Sequence, residues 1–197
     1  MVGRRVFSFC GIIKAMRYMG GKFMGRTVIS SHLLGHKLPV IEPFVGGANL
    51  PDLWPIGSIA YDTREGLIDL YQRVRDGGVN WLPDVVSESD YRYHSEAYRA
   101  GKRQTALDAF VLVGCSFAGK YDGGYARSQR GSRDDPCRGA KNSLRRLIGK
   151  PCRYECVDFF DLEIRRGFVV YLDPPYAGTT GYDSTFDHPR FLRRAQE

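Results

Sequence analysis

The chain carries its apolar residues in two rhythms. Short runs rich in β-branched and aromatic types recur at 38–44, 57–62, 154–158 and 168–172, each ending at or beside an acid or a proline. Runs of that length bounded by turn residues read as strands. Between them the spacing turns helical. Residues 64–75 put Leu67, Ile68, Leu70, Tyr71 and Val74 on one face, 24–34 reads as a helix ended by Gly35, and a last helix starts near His188. Strands alternating with helices predict an α/β fold, with about four strands near Val40, Ile59, Tyr154 and Val169.

The last apolar run, Phe168-Val169-Val170-Tyr171-Leu172, leads into Asp173-Pro174-Pro175-Tyr176. Two prolines cannot continue a sheet ladder, so the strand stops in a stiff corner with a carboxylate at its start and a phenol at its end. Ligands of open α/β sheets bind at that edge. The Asp173 carboxylate and the Pro174 carbonyl are both acceptors, and a planar amino group offers two donors. Such a pair would draw the weakly nucleophilic amine of a nucleobase toward tetrahedral geometry and stabilise the cation formed as it attacks. Tyr176 would give the base a face to stack on.

The first strand candidate runs into Glu42-Pro43-Phe44-Val45-Gly46-Gly47, where the glycines allow a sharp strand-to-helix turn and close approach of a ligand. The second ends at Asp62, sixteen residues after Gly46, near the offset at which an acid accepts both ribose hydroxyls of a nucleotide-like cofactor. The third puts Asp158 on the same edge, near a cofactor's adenine amine. Ahead of all of them, Tyr18-Met19-Gly20-Gly21-Lys22 offers an aromatic face and a cation beside permissive backbone; it fails as a phosphate-binding loop because Phe23 stands where the magnesium-binding Ser/Thr would be.

Charge changes the picture in the middle of the chain. The protein has 197 residues and a formal charge of +7. Residues 91–153 hold fourteen Lys/Arg against five Asp/Glu, and the remainder is slightly acidic. The cations are interleaved with Tyr91, Tyr93, Tyr98, Tyr121 and Tyr125, a composition that suits a polyanion. The loop 116–127 adds glycines around Lys120, Tyr121, Tyr125 and Arg127, which read as nucleic-acid contacts. Residues 128–139 are polar, and 140–148 read as a basic helix.

Five cysteines, without a CxxC pair, argue for reduced thiols and a cytoplasmic location, with Cys152 and Cys156 sharing a strand face as core packing. His32 and His36 lack the acid between them that a metalloprotease pair needs, and no metal is expected. No stretch approaches a membrane span. Residues 1–15 resemble a signal peptide only weakly and read as an unstructured extension ahead of Met16.

The four segments around Lys22, Gly46, Asp62 and Asp173, in this order with a recognition segment between the third and fourth, resemble the Dam-type, alpha-class DNA adenine methyltransferases. Residues 116–127 and Gly178-Thr179-Thr180-Gly181-Tyr182 are also similar to segments of phage-type members. The resemblance spans about 16–192. It implies a Rossmann-like S-adenosylmethionine-dependent methyltransferase sheet, with a catalytic domain formed by 16–76 and 151–197 and a basic, mostly helical DNA-recognition insert at 77–150. It implies cofactor contacts at Tyr18, Lys22, Phe44, Gly46, Gly47, Asp62, Asp158 and Asp173, and catalysis by Asp173, Pro174 and Tyr176. Double-stranded DNA is the implied partner, in the setting of DNA methylation and restriction-modification. Members usually continue further past the proline corner, so a C-terminally truncated sheet is expected, with its last strand at an edge that a partner chain or self-association would cover. An inactive DNA-binding remnant is the competing expectation, and transfer to RNA or a protein amide ranks behind both.

Overall fold

The computed structural model describes residues 20–127, 135–164, 166–176 and 186–196. The extension at 1–15, Tyr18, and the segment 178–182 lie outside them. Among the described residues four strands form one all-parallel sheet: β1 (Val40–Glu42), β2 (Ile59–Asp62), β3 (Arg153–Cys156) and β4 (Val169–Val170), in the order β3-β2-β1-β4. Six α-helices accompany it among the same residues: α1 (Arg26–Leu34), α2 (Glu65–Gly77), α3 (Glu88–Arg99), α4 (Ala106–Ala109), α5 (Pro136–Leu144) and α6 (His188–Arg194).

The order decides where a ligand can go. The chain steps from β1 outward to β2 and β3, then returns to lay β4 on the other side of β1. The strand order thus reverses at β1, and ligands of open parallel sheets bind at the carboxyl ends of strands beside such a reversal. The strands are shorter than the apolar runs predict. β1 is bracketed by Pro39 and Pro43, which cannot donate to a ladder. β4 extends its pairing by one bond on each side, from Val169 N–H to Pro39 and from Tyr171 N–H to Ile41, before the prolines stop it. Among the described residues β4 has one neighbouring strand, β1, and its valines are half-buried.

The glycine bend departs from expectation. No α-helix follows Gly46-Gly47; the chain makes turns with positive φ at Gly46 and Ala48, then a single 3-10 turn, Pro51–Leu53. Pro55 forces Trp54 into an extended conformation, so the turn cannot grow. Gly35 likewise does not end α1 by a left-handed cap; it stays right-handed at φ −56°, and the reversal falls on Lys37 at φ 55°.

The described residues between 78 and 152 contribute no strand to the sheet. The helices there start where side chains say they should: Ser87 with Asp90 and Thr105 with Asp108 form reciprocal caps, and Asp135 caps α5 ahead of Pro136. After α4 the run Phe110–Gly114 continues as a π-helical turn in which Phe110, Val111, Leu112 and Val113 are all buried. One hydrophobic core joins Val40 and Ala60 of the sheet, Leu67, Leu70, Tyr71 and Val74 of α2, and Tyr91, Phe110, Leu112, Leu144 and Leu147 of this middle segment. A second, smaller core on the other face gathers Ile41, Ile59, Tyr61, Phe159, Leu162 and Phe191. Cys152 is core, as expected, but Cys156 is exposed: the strand's last residue lies beyond the layer that covers β3. The four described cysteines are free thiols.

Candidate functional site

A cavity of about 460 Å³ lies at the carboxyl ends of β1 and β4, within the range of small-molecule sites. Lys22, Phe44, Gly46, Gly47, Asp62, Asp158 and Asp173 all line it. The proline corner and the glycine bend therefore face one space, although 126 positions separate Gly47 from Asp173.

At one end stands the corner. Asp173 is half-buried, and its Oδ2 lies 2.7 Å from the Lys22 ammonium. The Tyr176 hydroxyl donates to its Oδ1 at 2.9 Å. Lys22 also donates to the Gly20 carbonyl at 2.9 Å and stands 4.7 Å from the centre of the Tyr176 ring. Burial pulls the Lys22 pKa down, but Asp173 and Tyr176 outweigh it and hold it at about 12. The ammonium thus rests on a carboxylate, a carbonyl and an aromatic face together. Pro175 lines the cavity, whereas half-buried Pro174 and exposed Tyr176 do not.

The floor is the glycine bend. Its shape is held by bonds from four directions. Val45 N–H donates to the Tyr61 carbonyl at 2.8 Å, Gly46 N–H to Asp62 Oδ2 at 3.0 Å, and the Tyr71 hydroxyl to the Gly46 carbonyl at 2.5 Å. From the middle segment, the Arg146 guanidinium donates to the Ala48 carbonyl. Arg146 lies 3.8 Å from Asp52, which also takes Arg26 at 2.5 Å. Beneath the bend Glu42 is buried, accepting from Trp54 Nε1 at 2.6 Å. Burial pushes its carboxyl up to about 8, against the pull of the indole N–H.

Asp62 occupies the middle. Its Oδ1 accepts the Arg64 N–H and its Oδ2 the Gly46 N–H, both at 3.0 Å. Desolvation raises its pKa, and backbone donors from Arg64, Gly46 and Thr63 oppose the rise. A carboxylate has about four lone-pair sites, so these donors do not fill it. At the far end the walls are aromatic. Phe44, Phe159, Phe160 and Phe186 meet at ring separations of 5.3–6.0 Å, and the Arg190 guanidinium stands 4.1 Å over Phe160. Asp158 is exposed beside them, its Oδ1 accepting from Phe160 N–H at 2.9 Å.

Of the residues expected to touch nucleic acid, only Lys120 is an exposed cation with no ion-pair partner among the described residues. Arg127 pairs with Glu88 at 2.8 Å. The Tyr125 hydroxyl donates to the Val86 carbonyl at 2.9 Å and its ring packs on Tyr91 at 5.8 Å. Tyr121 turns inward and lines the cavity with Gly119. Sequence reasoning missed Glu42, Arg64, Phe159, Phe160, Phe186 and Arg190. The two phenylalanines after Asp158 carry a readable signal, since they repeat the placement of Phe44 just past a strand. Phe186 and Arg190 carry none, because only the return of α6 brings them here. His32 and His36 are exposed and their rings meet edge-on at 6.3 Å. Among the described residues no helix is long and apolar enough to cross a membrane.

The cavity thus combines flat apolar walls at one end, a carboxylate in the middle, and permissive backbone beside a cation at the other. No protein-family model matches the chain, and no curated protein matches it by sequence.

Proposed function

We propose that this chain transfers a methyl group from S-adenosylmethionine to the 6-amino nitrogen of an adenine in DNA. The observation that carries the reading is the single crevice at the strand-order reversal, which brings the Asp173 corner, the Gly46 bend and Asp62 to one cavity. The residues present fit the cofactor. Phe44, Phe159 and Phe160 offer faces for its adenine, Asp158 an acceptor for the adenine amine, Asp62 its remaining lone pairs for the ribose, and the glycine bend with Lys22 its amino-acid end. When bound, the cofactor supplies an electrophilic methyl group on sulfur.

The protein's own contribution is positional and electrostatic. Asp173 and the Pro174 carbonyl accept the two amine hydrogens and Tyr176 stacks on the base; the nitrogen gains the methyl group and loses one of those protons to solvent. The place is already shaped for such a group, because Lys22 fills it with an ammonium that donates to Asp173 and lies against the Tyr176 ring. An amine entering there displaces that ammonium. The concentration of positive charge in the middle segment favours a nucleic acid over a protein amide as the substrate.

Incubating the protein with methyl-labelled cofactor and, in parallel, duplex DNA, RNA or mixed protein tests the assignment. Label is expected in DNA adenine alone. Asp173→Ala should cut incorporation by about a hundred- to a thousandfold if an acceptor aimed at the developing charge is lost, while DNA affinity stays within about threefold. A variant that still methylates DNA would refute the role given to the corner. The inactive DNA-binding remnant is separated by calorimetry with S-adenosylmethionine, since it would show no heat of binding.

A further inference from the structure

Tyr121 belongs by sequence to the basic middle segment, yet its side chain lines the crevice with Gly119, Asp62, Thr63 and Arg64. The Arg64 guanidinium, which follows the β2 acid, lies 4.4 Å over its ring, and Tyr98 of α3 packs against it at 5.1 Å. Arg64 Nη1 also reaches the Tyr98 hydroxyl at 3.4 Å. Backbone bonds close the loop on itself, Phe117 N–H to Gly124, and tie it to the helical run before it, Asp122 N–H to Leu112 and Ala126 N–H to Cys115, all at 2.8–3.0 Å. Gly124 N–H donates to the Tyr91 hydroxyl at 3.1 Å, and Asp122 accepts Ser95 at 2.6 Å and Arg99 at 2.7 Å. The loop thus joins α3 on one side to the crevice on the other.

We infer that Tyr121, held by Arg64, is a nucleoside-contacting wall of the crevice, through which occupancy by an adenosine-containing ligand orders the 116–126 loop of the middle segment. Asp62 beside it has lone pairs for a ribose, and an aromatic ring carrying a cation on one face adds a polarised surface to that end of the cavity. The inference rests on the cofactor reading above and goes beyond it. It removes Tyr121 from the DNA-contacting set, and it makes the state of the DNA-facing segment depend on what fills the crevice. By reciprocity, ordering that segment on DNA would tighten ligand binding by the same factor.

Amide hydrogen exchange with and without S-adenosylhomocysteine, paired with calorimetry, is the test. In the wild type the ligand should slow exchange at 44–49, at 62–64 and at 117–126. Tyr121→Leu, which keeps apolar bulk but removes the ring, should bind about tenfold more weakly, the scale of one lost aromatic stack. It should keep protection at 44–49 and lose it at 117–126. Tyr121→Phe should restore both. Protection confined to 44–49 and 62–64 in the wild type, or loop protection undiminished in Tyr121→Leu, would overturn the inference alone. Absence of protection anywhere, with no heat of binding, would overturn the cofactor assignment and this inference with it. If Tyr121→Leu lacks the native protection of α2 before ligand is added, Arg64→Met decides instead, because it strips the cation from the ring.

Discussion

Glu42 ends β1 and Asp173 follows the neighbouring β4, both at one crevice, and their surroundings treat them differently. Asp173 meets a cation, whereas Glu42 meets an indole N–H and is otherwise buried. With its carboxyl at about 8 instead of its ordinary 4.5, Glu42 is protonated in the folded protein at neutral pH. Between those two values the folded state holds a proton that the unfolded chain has lost, so this group makes stability fall as pH rises through the window. Glu42→Gln keeps an acceptor for Trp54 and cannot ionise. Urea unfolding at about pH 5 and about pH 9 should show a decline in the wild type that the variant reduces. Equal declines would mean that Glu42 is ionised in the fold. The setting of Asp173 was legible because its own neighbours in the chain, two prolines and a strand, fix it. Glu42 was quoted in the glycine motif without a role, because what buries it is Trp54, twelve residues away in a turn that no local pattern announces.

Elements were legible where one face repeats and illegible where proline or burial on all sides overrides the pattern. The buried residues of α2 include the five that the spacing selects, whereas β1 is bracketed by prolines and β4 runs into a proline pair. The bend after Gly47 lacks its expected helix for the same reason. Close packing of α2 supplies a test at this scale. A Cβ on Gly66 would stand 2.8 Å from the Thr105 carbonyl oxygen and 3.2 Å from Gln104 Cβ, so backbone would have to move. Overpacking of that kind costs about 1–3 kcal/mol, against a gain of about 1 kcal/mol in helix propensity. Gly66→Ala should therefore lose about 1 kcal/mol net in chemical denaturation. A stabilised variant would show that α2 and the start of α4 are not in contact as described.

For the whole molecule, charge was readable in amount but not in disposition. Arg99, Arg103, Arg127, Lys141 and Arg146 are ion-paired within the protein, to Asp122, Glu65, Glu88, Asp84 and Asp52. Lys141 is even buried, donating to the Leu82 carbonyl at 2.8 Å. Arg92, Lys102, Lys120 and Lys150 are exposed cations with no ion-pair partner among the described residues. If duplex DNA is the polyanion, affinity should fall log-linearly with salt, and Lys120→Ala should reduce that slope by about one. An unchanged slope would place the duplex on another face.

The core that runs unbroken from β1 and α2 into Tyr91, Phe110, Leu112, Leu144 and Leu147 has a consequence for how such a protein can diversify. A segment that shares its interior with the sheet cannot be exchanged wholesale, as a cassette might be, without exposing the buried face of α2. New preferences must arise by substituting outward-facing side chains, one at a time, over an interior that stays as it is.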